Sequence, residues 1–338
     1  MTDVPVTTRQ DWSSDQEVRW CPGCGDYSIL TAVQLLMPEL AVRRENTVFI
    51  SGIGCAARFP YYMNTYGMHG IHGRAPAIAT GLAMARPDLD VWVVGGDGDM
   101  LSIGGNHLIH ALRRNVNLNI LLFNNQIYGL TKGQYSPTSE VGKVTKSTPM
   151  GSLDQPFNPI SVALGAEATF VARTHDMDRN HMQEMFKAAH DHRGASLVEV
   201  YQNCNVFNDG AFAGITKKDH RSAMLINLAH GEPIRFGMEL EKGVMLDEHG
   251  LATIVDAADV GEGALLVHDV AATDPSLAFA LSRLSYGPDM PTPMGVFRQV
   301  ERPEYVESAS QQLAAAQEQK GSGNLEDLLH SLPTWEVD

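Results

Sequence analysis

Five short apolar runs punctuate the chain: Thr47 to Ser51, Asp90 to Val94, Leu118 to Phe123, Ala168 to Ala172 and Ser196 to Tyr201. They do not alternate apolar with polar, which is the habit of strands covered on both faces of a parallel sheet. Between them the hydrophobic period becomes helical. Asp26 to Met37 puts Ile29, Val33 and Leu36 on one face, with Asp26 expected as N-cap and Pro38 as the stop. Pro76 to Arg86, PAIATGLAMAR, is small or apolar almost all round, as suits a helix packed inside a domain or against a partner. Leu108, Ile109 and Leu112 mark an amphipathic helix ending near Arg114, and Met182, Met185, Phe186 and Ala189 mark another before the last strand. Strand and helix alternate throughout, which predicts an α/β fold: a parallel sheet with helices on both faces.

Three regions follow: an N-terminal arm over 1–20, the alternating body over 21–204, and an irregular C-terminal extension over 205–338. In the extension the pattern weakens, and Gly321 to Gly323 break the chain before a short amphipathic piece at Leu325 to Leu332, the form of a tail that docks on another surface. Composition narrows the function. With 338 residues, 43% of them hydrophobic, the chain is long enough for a sizeable core. A net charge of -15 without any basic run argues against nucleic acid, whose phosphates require Lys and Arg. No apolar run reaches membrane-spanning length and the start is polar, so no membrane and a cytoplasmic location are expected.

Chemistry concentrates where apolar runs stop. VWVVGGDGDM ends in Asp97, and LNILLFNNQIYGL carries Asn124 and Asn125 just past its strand. Ligands of open parallel sheets bind beyond the carboxyl ends of strands. Asp97 and Asn125 offer the hard oxygen donors that Mg²⁺ prefers, and Gly95, Gly96 and Gly98 allow close backbone approach to phosphates. Asp-Gly alone is a common turn. The pairing of GDG with Asn124-Asn125, separated by the 25 residues Asp99 to Phe123, resembles the thiamine diphosphate motif. That resemblance implies that Asp97, Asn125 and the carbonyl of Ile127 hold magnesium, while Gly96, Gly98, Asp99, Gly129 and Leu130 line the cofactor.

The four cysteines are Cys21 and Cys24 in CPGCG, Cys55 in SGIGC and Cys204 in VEVYQNC. The last two follow strands, so strand polarity alone carries them to the edge that holds Asp97 and Asn125. Structural zinc, an iron–sulfur cluster and unrelated buried thiols all remain open, since a Cys₄ set suits either of the first two. An adjacent thiamine site favours the cluster, because oxidising a thiamine-bound intermediate without lipoamide, flavin or nicotinamide requires a nearby electron carrier.

CPGCGDYSIL, SGIGC, IHGRA, GDGDM and NNQIYGLTKGQYSPTS together resemble the β subunit of 2-oxoacid:ferredoxin oxidoreductases over roughly Cys21 to Cys204. The resemblance implies a thiamine diphosphate-binding fold, one 4Fe-4S cluster on Cys21, Cys24, Cys55 and Cys204, and coenzyme A as co-substrate. It also places Ile53, Gly54, Cys55, Ala56 and His72 against the thiamine cofactor, His72 with a catalytic role. Lys132, in the long segment from Tyr128 to Phe157, and Arg58, just past Cys55, are candidates for an anionic substrate or phosphate, with solvated surface cations as the bland alternative. Only one GDG-type domain is present, so activity is expected only with an α subunit that grips the aminopyrimidine, in a heterodimer or pair of heterodimers. With every cysteine used in one cluster, the electron acceptor is expected to be an external ferredoxin. GITKKDHRSAMLINLAHGEPIRFG looks most like the 2-oxoglutarate branch, with pyruvate or a branched 2-oxoacid as alternative substrate. A non-catalytic zinc-binding scaffold is the rival from another class.

Overall fold

A computed structural model describes residues 6–284, 290–333, Trp335 and Val337. Its centre is an eight-stranded sheet. In chain order the strands of the body are β1 (Thr47–Ser51), β2 (Tyr66–His69), β3 (Asp90–Gly96), β4 (Leu118–Asn124), β5 (Phe170–His175) and β6 (Ala195–Tyr201). Two more come from the extension, β7 (Leu225–Asn227) and β11 (Thr292–Gln299), and β8 (Arg235–Phe236), β9 (Lys242–Leu246) and β10 (Ala252–Asp256) form a separate antiparallel sheet. The order is β2-β1-β3-β4-β6-β5-β11-β7, and every pairing is parallel except that of β11 with β5.

Successive residues of the central strands feed opposite cores, which is why these runs are apolar without alternation. Ile50, Val93, Ile120, Leu122 and Leu197 face one way, against helices α2 (Ala75–Ala85), α4 (Gly105–Arg114) and α5 (Pro159–Gly165). Phe49, Trp92, Leu121, Phe123 and Val198 face the other way, against α1 (Asp26–Leu36) and α6 (Arg179–Asp191). A single turn, α3 (Asp97–Leu101), starts directly at the GDG motif. Each fully buried Val, Leu or Phe on these faces contributes roughly 1.5–3 kcal/mol.

Several expectations are corrected. The α1 cap is Gly25, not Asp26, because the Gly25 backbone is wedged against the Asp176 carboxylate and the amide of Asn203, and Asp26 turns inward as a buried helical residue. β5 runs to His175 rather than stopping at Ala172. It can carry Arg173 into the interior because that guanidinium meets the buried Glu199 of β6 at 2.7 Å. Ile109 points to solvent while Leu108, Ala111 and Leu112 are buried. The sheet is mostly rather than wholly parallel, and two of its strands come from beyond residue 205.

The helix Tyr305–Lys320 is capped by Glu304, which accepts from the amides of Val306 at 2.8 Å and Glu307 at 2.7 Å, and only Val306 of that helix is buried. Beyond it Leu325, Leu328, Leu329, Leu332 and Trp335 are between 68% and 83% exposed. No helix among the described residues is long and apolar enough to cross a membrane.

Candidate functional site

Asp97 stands one residue past Gly96 of β3, and Asn125 two past Phe123 of β4, and Gly96 and Phe123 are register partners. Asp97 is buried, and its Oδ2 accepts from Ser136 at 2.6 Å and Thr138 at 2.5 Å. Burial pushes its carboxyl up to about 6 against the pull of those hydroxyls. A buried acid with no cation beside it behaves this way, and a divalent ion would reverse it. Thr138 Oγ1 also lies 3.0 Å from Asn124 Oδ1. Asn125 Oδ1 accepts from the Ile127 amide at 3.2 Å, and its Nδ2 donates to Gln202 at 2.8 Å. The loop after β4 holds no helix or named strand until α5. It is tied down by Ser139 Oγ donating to Gln126 O at 2.6 Å and Asn208 Nδ2 donating to Asn125 O at 2.9 Å.

The glycine at 98 packs against Tyr128. A β-carbon there would fall 2.2 Å from Tyr128 Cε1, and the Tyr128 hydroxyl donates to Gly98 O at 3.0 Å, so the close approach is that of a phenol ring. Asp99 is a clamp. Its Oδ1 accepts from the amides of Ile53 at 3.0 Å and Gly73 at 2.8 Å and also contacts His72 Nδ1, while its Oδ2 is buried without a partner. One carboxylate thereby joins the loop after β1, the loop before α2 and the GDG motif. His72 is half-buried, held through Nδ1.

Ile53, Gly54, Arg58 and Leu130 line a cavity of about 460 Å³ with Tyr61, Tyr62 and His69. The Arg58 Nε is buried there without a hydrogen-bond partner. Ala56 is buried beneath this loop. Lys132 is exposed in a turn, with φ +76°, and lines neither this cavity nor a second one. The other, about 670 Å³, opens between the post-β4 loop and the segment around Phe212, with Arg173 and Glu199 among its walls.

All four cysteines are free thiols, and the structure brings their segments together. A β-carbon on Gly129 would lie 3.5 Å from Cys55 Sγ and 3.7 Å from Cys204 Sγ, so those sulfurs are at most about 7 Å apart. The CPGC turn is stapled to the Cys204 segment by Gly25 N donating to Asn203 O at 3.2 Å, by Asn205 Nδ2 donating to Pro22 O at 2.7 Å, and by Gln202 Nε2 donating to Cys24 Sγ at 3.2 Å. Trp20 Nε1 donates to Cys55 O at 2.7 Å and ties in the third segment. Gly23, at φ +83°, is 2.9 Å from Asn205 Nδ2 at its would-be β-carbon, so both backbone conformation and space require glycine. Burial pushes the Cys55 thiol up to about 12 and raises Cys24 further, with the Asp26 carboxylate adding to both. Among the described residues no three His, Cys, Asp or Glu side chains gather closely enough to hold a single metal ion.

Residues 52–200 match the family model of the thiamine pyrophosphate enzyme, C-terminal TPP binding domain. The 2-oxoglutarate oxidoreductase subunit KorB of Mycobacterium tuberculosis is 60% identical over 99% of this chain and 91% of its own length. The chain belongs to the β subunits of 2-oxoacid:ferredoxin oxidoreductases. Its similarity to the 2-oxoacid:ferredoxin oxidoreductase 1 subunit beta of Aeropyrum pernix is 46% identity over 56% of this chain and 60% of that one, so the archaeal likeness is confined to part of each chain. Among solved structures, the 2-oxoglutarate:ferredoxin oxidoreductase from Magnetococcus marinus, with 2-oxoglutarate, coenzyme A and succinyl-CoA bound, superposes with a TM-score of 0.75 at 33% identity, over 97% of this chain and 96% of that one.

Sequence reasoning found the GDG and asparagine residues and the four cysteines, but it missed Ser136, Thr138 and Gln202. The hydroxyl-rich SPTS following NNQIYGLTKGQY was the available signal for the first two. Gln202, beside a cysteine in QNC, offered none.

Proposed function

We propose that this chain is the thiamine diphosphate- and cluster-carrying β subunit of a 2-oxoglutarate:ferredoxin oxidoreductase, converting 2-oxoglutarate, coenzyme A and two oxidised ferredoxins to succinyl-CoA, carbon dioxide and two reduced ferredoxins, or running the reverse. The observation that carries this reading is the shared rim: Gly129, four residues past Asn125, lies beside the sulfurs of both Cys55 and Cys204. The 60% identity to a 2-oxoglutarate oxidoreductase subunit supports the choice of substrate.

The donor set fits the groups assigned to it. Asp97 and Asn125, with the Ile127 carbonyl, are hard oxygen donors for Mg²⁺, and Asp97 is a buried acid in want of a countercharge. The adjacent thiamine site favours a cluster over zinc, since oxidising a thiamine-bound intermediate without lipoamide, flavin or nicotinamide requires a nearby electron carrier. When bound, thiamine diphosphate supplies the electron sink for decarboxylation and the cluster accepts single electrons. Asp99 fixes the Ile53 and His72 loops against the cofactor site, and Nδ1 contact with a carboxylate leaves His72 Nε2 to hold or move a proton. The unpartnered Arg58 guanidinium beside the cavity is the better cation for a substrate carboxylate, with Lys132 in the more exposed turn.

An α subunit would complete the thiamine site. The leucine-rich acidic tail from Leu325 to Val337 would dock on it, since the apolar side chains Leu325, Leu328, Leu329, Leu332 and Trp335 are left exposed on this chain. The test is anaerobic co-expression with an α subunit, followed by turnover of 2-oxoglutarate with coenzyme A and ferredoxin. The expected preparation is brown, with iron and sulfide in equal amounts. Absence of turnover with any 2-oxoacid would defeat the proposal.

A further inference from the structure

Gln202 follows directly on β6, and its side chain is almost wholly buried at 1% exposure. Its backbone amide donates to Asn124 O at 2.9 Å, continuing the strand pairing one step past β6. Its carboxamide then spans the two halves of the site. Oε1 accepts from Asn125 Nδ2 at 2.8 Å, while Nε2 donates to Cys24 Sγ at 3.2 Å and to Asn203 O at 2.6 Å. Among the described residues, these hydrogen bonds make Gln202 the one side chain bonded to both a proposed magnesium ligand and a proposed cluster ligand.

The orientation of this amide is set by its partners. Two acceptors, a sulfur and a backbone carbonyl, lie on the Nε2 side, and a flipped carboxamide would press oxygen against both. With Nε2 committed there, Oε1 faces Asn125 and takes its Nδ2. That in turn directs Asn125 Oδ1 to the Ile127 side, where the hard cation is expected. Metal ligands held by a hydrogen-bonded outer partner keep one orientation, and hydrogen bonds to cluster sulfurs tune reduction potential.

We infer that Gln202 is a positioning residue that couples the two centres: it aims the Asn125 amide oxygen at the diphosphate-bound magnesium and, through its N–H on Cys24 Sγ, holds the cluster at a higher reduction potential. The inference rests on the metal and cluster assignments proposed above. An N–H aimed at a thiolate withdraws charge from it and stabilises the extra electron of the reduced cluster. Loss of that donor therefore makes the cluster a poorer electron acceptor.

Two substitutions separate the two bonds. Q202M keeps length and volume but removes both. Q202E keeps an oxygen for Asn125 Nδ2 while replacing the donor to Cys24 with an acceptor. Both variants are purified anaerobically as the complex with the α subunit. Iron and sulfide are counted, the cluster midpoint is measured by spectroelectrochemical titration, and Mg²⁺ affinity is measured by titrating the metal into cluster-loaded, thiamine diphosphate-supplied protein. The midpoint is expected to move to more negative values in both variants, further in Q202E. Mg²⁺ affinity is expected to fall at least tenfold in Q202M and to stay within about threefold of the parent in Q202E. Cluster-loaded variants with the parent's midpoint, or Q202M with the parent's Mg²⁺ affinity, would overturn the coupling. If Q202E fails to retain iron, Q202M decides both points alone, and if neither variant retains iron the tuning role is rejected in favour of a purely structural one. A parent protein without iron or sulfide would instead sink the cluster assignment itself.

Discussion

Replacing Asp99 with alanine tests whether the GDG motif is held by the clamp. The Asp99 carboxylate is only 2% exposed, and its Oδ1 serves the amides of Ile53 at 3.0 Å and Gly73 at 2.8 Å together with His72 Nδ1. Hydrogen bonds to a charged group contribute about 1.5–3 kcal/mol each, and a buried donor left without a partner costs about 1–3 kcal/mol. Alanine orphans two backbone donors in loops that have no substitute acceptor beside them, so a loss of about 3–5 kcal/mol is expected, a large share of the ~5–15 kcal/mol typical of a domain. Asparagine keeps a neutral acceptor at Oδ1 and is expected to lose about half as much. Equilibrium urea unfolding followed by far-ultraviolet circular dichroism measures both, and thiamine diphosphate affinity should fall in the same order. A loss below about 1 kcal/mol for Asp99→Ala, or Asp99→Asn no milder than alanine, would refute the clamp.

Gly98→Ala must displace the Tyr128 ring, 2.2 Å from the new methyl, and is expected to weaken thiamine diphosphate binding more than tenfold by calorimetry, whereas Tyr128→Phe loses one hydrogen bond and costs about 1 kcal/mol in denaturant. Glu199→Gln removes the negative charge that faces Arg173 inside the sheet and weakens the link to Asn124 Nδ2, 2.7 Å away, so a loss of about 3–5 kcal/mol is expected in urea unfolding. Truncation after Lys320 removes, among the described residues, only exposed side chains, so the melting temperature of the chain alone should not move, while retention of the α subunit in size-exclusion chromatography should fall. Burial lowers His175 from 6.5 to about 4, helped by Arg221 and His181 and opposed by Asp178. Above about 6.5 this histidine is neutral folded or unfolded; as pH falls toward 4 only the unfolded chain takes up the proton, so roughly 3 kcal/mol is lost through that window, and His175→Gln should flatten the pH dependence of urea unfolding.

The strands were legible because burial on both faces leaves an unmistakable apolar run, and β1, β3, β4 and β6 lie where those runs do. What escaped reading was buried polarity and the sheet's edges. Arg173, Thr174 and His175 look like the end of a strand but are its buried continuation, made tolerable by Glu199 across the ladder. β2, reading YGMH and exposed along its length, and β11, which begins 117 residues after β5 ends and lies one strand in from the β7 edge, carry no local signature because membership at the sheet's margins is decided by tertiary pairing. Asp26 illustrates the same limit at a helix start: a good capping residue is turned inward because Gly25 is pinned by Asp176 and Asn203, partners 150 or more residues away.

The rim itself follows from topology. Parallel strands point their carboxyl ends the same way, so Cys55 after β1, Asp97 after β3, Asn125 after β4 and Cys204 after β6 must emerge on one edge whatever their distance in sequence. Strand order alone does not bring them within bonding reach, because β3 and β4 lie between β1 and β6. The loop after β4 narrows that gap: it starts at Asn125, the proposed metal ligand, and within four residues brings a glycine beside the sulfurs of Cys55 and Cys204. A β-carbon at 129 would be in van der Waals contact with both thiols, at 3.5 and 3.7 Å. The loop after β4 therefore carries an oxygen donor and a neighbour of two thiols four residues apart, and Gln202, from the end of β6, joins the same two sets a second time through Asn125 and Cys24.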